Sequence, residues 1–174
     1  MVTPVAILIG PPGAGKSTVG RRLAALLEVP FDDTDAIIER REGRVISDIF
    51  VDSGEPYFRD VERTVVLETL GKHGGVLALG GGAAMDPEVQ DALAGHSVVF
   101  LDVGIADAAK RVGFDQSRPL LSVNPRASWV ALMNTRRPTY ERLATHRVDT
   151  AGRTVDAIAT EITALLAGAT GSAT

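Results

Sequence analysis

The chain has 174 residues, 45% of them apolar, with 18 lysines and arginines against 22 aspartates and glutamates, a formal net charge of −4 and no cysteine. That size and composition suit one globular domain burying roughly two thirds of its unfolded surface, and they exclude disorder, disulfides, thiolate metal sites and cysteine nucleophiles. The acidic balance argues against nucleic-acid binding, which draws on a basic surface to displace counterions.

The first apolar run, VAILI at Val5 to Ile9, reads as a fully buried strand. It is far shorter than the ~20 apolar residues of a membrane span. With MVTP lacking a basic leader, the expected setting is soluble and cytoplasmic, without a membrane partner. Ser17 to Leu27 follows as a helix with Val19, Leu23, Leu26 and Leu27 on one face. Val29 to Phe31 forms a second short strand, and Asp35 is placed to cap a helix that Gly43 stops. Gly54-Glu55-Pro56 opens a longer helix to about Lys72, burying Phe58, Val61, Val65 and Leu70. Val76 to Leu79, Val98 to Val103 and His146 to Asp149 are further strands, and Thr154 caps a last helix. Strands alternating with helices predict an α/β protein around a mostly parallel sheet, with ligands beyond the strands' carboxyl ends. Gly113 to Pro125 has no clear period and reads as a long loop, the place for a lid, and GATGSAT from Gly168 reads as a flexible tail.

GPPGAGKS, Gly10 to Ser17, matches G-x-x-x-x-G-K-[ST] between a buried strand and an amphipathic helix, the context that gives the pattern its meaning. Gly13, Ala14 and Gly15 present backbone amides to a phosphate at a helix start, Lys16 reaches the β- and γ-phosphates of a nucleoside triphosphate, and Ser17 is placed to ligate Mg²⁺. Thr18 lies in the helix near the α-phosphate. No N-K-x-D motif is present to read guanine. Two apolar strands end in acids able to serve Mg²⁺: VVFLD at Asp102, which pattern alone slightly favours, and FDD at Asp33 or Asp32. If Asp33 and Asp35 continue from a strand end they share one face with Asp32 opposite, giving one carboxylate for metal water and one for an acceptor hydroxyl. A solvated turn with Asp35 as a helix cap is the competing reading of FDDTD.

Beyond the phosphate loop and FDDTD, the chain carries IF followed by GEPYFRDVE (Ile49 to Glu62), GGG (Gly80 to Gly82), RPLL (Arg118 to Leu121) and R-x-P-x-Y (Arg136 to Tyr140). Together and in this order these resemble the shikimate kinase family, close to its actinobacterial members, from Val5 to about Arg153. The resemblance implies phosphoryl transfer from ATP to the 3-hydroxyl of shikimate. It also implies a single domain over residues 1–174 with a three-layer, nucleoside monophosphate kinase-like fold, five parallel strands and a lid at about 113–125. By position it assigns Asp35, Arg59, Gly81, Gly82 and Arg136 to shikimate, Asp33 to Mg²⁺ water, Arg118 in the lid to the phosphates and Arg111 to adenine. Arg153, in a loosely matching stretch, is the candidate for a second adenine contact. The partners expected are shikimate and ATP alone, with the chain acting as a monomer.

The chemistry of the substrate agrees with these roles. A ring with one carboxylate and three hydroxyls calls for arginines and an aspartate, and Arg59 and Arg136, from separate helices, suit a clamp on the carboxylate. Glu62 is placed to hold Arg59, and the spacing to Pro138 and Tyr140 selects Arg136 over Arg137. Phe50 and Phe58 are candidates for the pocket wall. Three features depart from the family pattern. Val45 stands where the family has serine or threonine, so the next helix needs another cap, with Ser47 the nearest. Asp32 adds charge at a usually apolar position, and Ser122 to Ser128 matches poorly.

Overall fold

The structure, a computed structural model, describes residues 2–112 and 124–170. Five strands, β1 (Ala6–Ile9), β2 (Phe31–Asp33), β3 (Val76–Ala78), β4 (Val98–Asp102) and β5 (His146–Asp149), form one sheet in the order β2-β3-β1-β4-β5. Every pairing is parallel. The central strands are uninterrupted apolar runs because both their faces are covered. The helices are α1 (Lys16–Leu27), α2 (Thr34–Glu42), α3 (Ile46–Ser53), α4 (Glu55–Leu70), α5 (Pro87–Ala92), α6 (Ile105–Val112), α7 (Pro125–Leu143) and α8 (Val155–Thr170).

From β1 the chain steps outward to β2 and then returns across the sheet to β3, β4 and β5. Right-handed crossovers in opposite directions put α1 on one face and the helices connecting β2 through β5 on the other, with α8 returning to the face of α1, which makes three layers. The α1 helix packs against α8 on one side, while α2, α3 and α4 pack on one another. The main core lies around the sheet, and a second, smaller core of Ile38, Ile49, Phe58 and Val65 holds α2, α3 and α4 together.

Several local expectations shift. The second strand is Phe31–Asp33 rather than Val29 to Phe31. Asp32 and Asp33 pair in register with Leu77 and Ala78 of β3, so backbone pairing carries the strand past its apolar residues. Asp33, not Asp35, caps α2: its carboxylate accepts the Asp35 amide at 2.9 Å. Gly43 ends α2 with φ 67° as expected, and Thr154 accepts the Ala157 amide at the start of α8. Ser47 does not cap α3; it is the second residue of that helix. The α8 helix continues to Thr170, so the tail expected from Gly168 begins inside a helix. Most of the expected lid, with Arg118, lies outside the described residues; its last residue, Pro125, already opens α7, capped by Asn124.

Asp102 turns out to be structural. It is 5% exposed, and its Oδ2 accepts Arg137 Nη1 at 2.7 Å and Arg147 Nη2 at 2.5 Å, joining α7 to the sheet edge. Burial pushes the Asp102 carboxyl up, but the two guanidinium hydrogen bonds outweigh it and hold its pKa below the ordinary value. A folded-state pKa below the unfolded one gives stability that is complete above the unfolded carboxylate pKa of about 4 and fades as pH falls through the folded value. Asp102→Asn should therefore cost about 1–2 kcal/mol at pH 7 in urea melts, the modest end for a charged hydrogen bond because Arg147 reaches solvent. The gap from the unmodified chain should narrow toward pH 3; a constant gap would show that the charge of Asp102 contributes nothing.

Candidate active site

The phosphate loop forms because glycines occupy the turn from β1 into α1: Gly13 (φ 83°) and Gly15 (φ 86°) are left-handed, a conformation costly for other residues. Gly15 is the N-cap of α1, so the helix's amide end opens toward the loop without a capping side chain. Lys16 Nζ donates to the carbonyls of Gly10 (2.9 Å) and Pro11 (3.0 Å), which hold its ammonium against the loop. Trp129 of α7 donates to the Pro12 carbonyl at 2.9 Å and steadies the loop from the far side.

Ser17 Oγ donates a short hydrogen bond to Asp33 Oδ2. The two strand-end acids differ in their contacts: Asp33 meets the phosphate loop, whereas Asp102, favoured by pattern, is occupied by arginines. A hydroxyl and a carboxylate are the hard oxygen donors Mg²⁺ prefers, and an ion held mainly by phosphates and water needs few protein ligands. Among the described residues no group of three or more metal-ligating side chains forms a closed site.

A cavity of about 520 Å³ opens beside this pair, lined by Ser17, Asp33, Asp35, Phe50, Phe58, Arg59, Glu62, Gly81, Gly82 and Arg136 among others. Asp33 and Asp35 thus share it as expected, although Asp35 arrives on the first turn of α2 rather than on an extended strand. Asp32 turns away to Arg40, 3.2 Å distant. Arg136 is 7% exposed, lines the cavity and lies against the glycine loop, while the adjacent Arg137 goes to Asp102.

Arg59 Nη1 donates to Glu62 Oε1 at 2.7 Å, and its other nitrogens reach Glu55 at 3.4 Å. Burial raises the Glu62 pKa above the ordinary carboxylate value, against the pull of Arg59 and Arg136. Arg59 and Arg136 both line the cavity, so two guanidinium groups face it.

The glycine loop is shaped by its neighbours. The Gly80 amide donates to the buried Thr34 hydroxyl at 3.0 Å, and Tyr140 donates to the Gly81 carbonyl at 2.5 Å. A Cβ at Gly82 would lie 2.3 Å from Arg59 Nη1, and one at Gly80 would lie 2.6 Å from Asp35 Oδ1. The loop is glycine because side chains of the site occupy the space. Gly82→Ala should push the Arg59 guanidinium aside and weaken acceptor binding about 10- to 100-fold, the scale of one charge-assisted hydrogen bond. Binding isotherms with and without nucleotide would check this; unchanged acceptor affinity would remove Arg59 from the site.

Arg111 packs behind the phosphate loop, donating to the carbonyls of Gly13 (3.3 Å) and Ala14 (3.1 Å) and to both oxygens of Thr150 (3.1 Å each). Arg153 is drawn to the Asp149 carbonyl (2.9 Å) and to Glu161 of α8 (2.5 Å). Thr18 is exposed on α1. Thr34 and Trp129, which support the site's loops, were not legible because each acts through a partner distant in sequence, Thr34 on Gly80 and Trp129 on Pro12; Glu39 lines the cavity and accepts from Ile46, seven residues on.

A family model described as shikimate kinase matches residues 12–167. A shikimate kinase of Thermobifida fusca is 58% identical over 151 residues, covering 87% of this chain and 88% of the relative. One from Salinispora arenicola is 51% identical over 166 residues, covering 95% and 99%. Among solved structures, shikimate kinase from Acinetobacter baumannii in complex with shikimate superimposes with a TM-score of 0.92 at 36% identity, covering 97% of this chain and 95% of that one.

Proposed function

The chain belongs to the shikimate kinase family, and from that premise we propose how it moves the γ-phosphoryl group of ATP to the 3-hydroxyl of shikimate, giving shikimate 3-phosphate and ADP. The observation that carries the reading is the convergence of Ser17 and Asp33 with Asp35, Arg59 and Arg136 on one cavity of about 520 Å³.

Arg59 and Arg136 take the shikimate carboxylate, and the Gly81 and Gly82 backbone lies against the ring. Asp35 accepts a hydrogen bond from the attacking hydroxyl, holds it in line and takes its proton as the new bond forms. The amides of Gly13 to Ser17, with Thr18, hold the phosphates, and Lys16 leaves the loop carbonyls to neutralise the β- and γ-oxygens. Ser17 and Asp33 would hold Mg²⁺, which when bound supplies further neutralisation of phosphate charge. Phosphoryl transfer demands positioning and charge stabilisation more than covalent help, and these groups supply both. Arg111 supports the adenine side, with Arg153 as a second contact. Arg118 is assigned to the γ-phosphate by the family resemblance alone, as is the lid that carries it.

We read the chain as one domain acting as a monomer, a reading supported by Asp35, Arg59 and Arg136 lining one cavity without need of a second copy. No helix among the described residues is long and apolar enough to cross a membrane, and the proposed setting is the cytoplasm, where both substrates are soluble. Coupled ADP release with MgATP tests the acceptor across shikimate, quinate and gluconate. Saturable turnover on shikimate is expected; turnover on gluconate alone would overturn the reading.

A further inference from the structure

The α3 helix begins without a cap of its own. Val45, half exposed at 50%, precedes it in extended backbone with no side-chain hydrogen bond. The Ile46 amide instead donates to Oε2 of Glu39, 3.2 Å away and seven residues earlier. Glu39 lies one turn beyond Asp35 on α2, so both carboxylates occupy one helix face, and both line the cavity. On α3, Ile46 and Phe50 line it too, and Phe50 packs on Phe58 with ring centroids 4.7 Å apart. The small core under these helices buries Ile38, Ile49, Phe58 and Val65, with Ile46 and Phe50 of α3 packed against it, and the Glu39 cap adds a hydrogen bond from α2 to the start of α3.

Resting on the reading that the cavity takes shikimate, we propose that Glu39 is a positioning residue for the acceptor. Its carboxylate ties α3 to α2 and so sets the distance between the Phe50 wall and Asp35. It performs from α2 the capping that a hydroxyl at position 45 would perform locally. Among the described residues the cap joins α2 to α3, whereas Arg111 joins the phosphate loop to Thr150, so the two sets of hydrogen bonds share no residue.

The test is a rescue. Glu39→Ala should raise KM for shikimate about five- to tenfold, the scale of one lost helix cap, with KM for ATP nearly unchanged. Glu39→Gln, which keeps an acceptor oxygen, should stay close to the unmodified chain. Val45 already has the backbone conformation of an N-cap, so adding Val45→Thr to Glu39→Ala should supply a hydroxyl for the start of α3 and restore KM to within about twofold. The proposal is overturned if Glu39→Ala leaves KM unchanged, or if the double variant regains its melting temperature while shikimate still binds poorly, as direct substrate contact by Glu39 would require. Should Glu39→Ala fail to fold, a folded double variant with restored KM supports the proposal and one with weak shikimate binding overturns it. The unmodified chain in the same assay separates the two readings: shikimate turnover without a KM response removes only the role of Glu39, and no shikimate turnover removes both.

Discussion

Asp35→Asn is expected to lower kcat for shikimate phosphorylation by about 10²- to 10⁴-fold, the usual scale for a positioned acid or base. Asparagine has nearly the same shape, and the Asp35 backbone amide would still donate to Asp33, so α2 should begin where it does now. The lost carboxylate charge at a helix start is worth only about 0.3–1 kcal/mol of stability. What disappears is the capacity to receive the hydroxyl proton as the bond to phosphorus forms. The acceptor should still bind, because Arg59 and Arg136 remain, so the effect belongs in kcat rather than in KM. Rapid-quench measurement of the first turnover separates chemistry from product release. An unchanged burst rate would remove Asp35 from the reaction and leave it as a binding group.

How far sequence reasoning reached depends on whether a feature is local. The phosphate loop, the FDDTD acids and the Arg136 motif were legible because strand, turn and helix signals surround them within a few residues. The parallel sheet followed from alternating apolar runs. What was not legible depends on contacts across the sheet. Pattern alone pointed to Asp102 as the metal acid, because a five-residue buried strand ending in aspartate is the stronger local signal; the structure spends that carboxylate on Arg137 and Arg147. Asp33 instead meets Ser17 because β2 and the phosphate loop reach the same edge of the sheet, sixteen residues apart in sequence. The shift of β2 by two residues has the same origin, since pairing with β3 continues where side-chain pattern stops. Asp33 ends up both capping α2 and facing Ser17, whereas the sequence reading placed the cap on Asp35.

Arg136→Lys should raise KM for shikimate by about 10- to 100-fold, the loss of one or two charge-assisted hydrogen bonds, and leave KM for ATP nearly unchanged. Lysine keeps the charge, so a long-range electrostatic role would survive the change. It loses the planar fork that can bind a carboxylate through two oxygens at once, and its ammonium is more strongly hydrated. Burial makes that difference count: Arg136 is 7% exposed, so the lysine would have to shed its water without recovering equivalent partners. The same change at Arg59 should cost less. Arg59 keeps 27% of its side-chain surface exposed and already shares its charge with Glu62 and Glu55, so part of its interaction energy is committed before shikimate arrives. Isothermal titration of both variants with shikimate, alone and with ADP present, gives the ranking directly. A larger loss at Arg59 than at Arg136, or equal losses for shikimate and nucleotide, would mean that Arg136 supports the fold of α7 and does not grip the carboxylate.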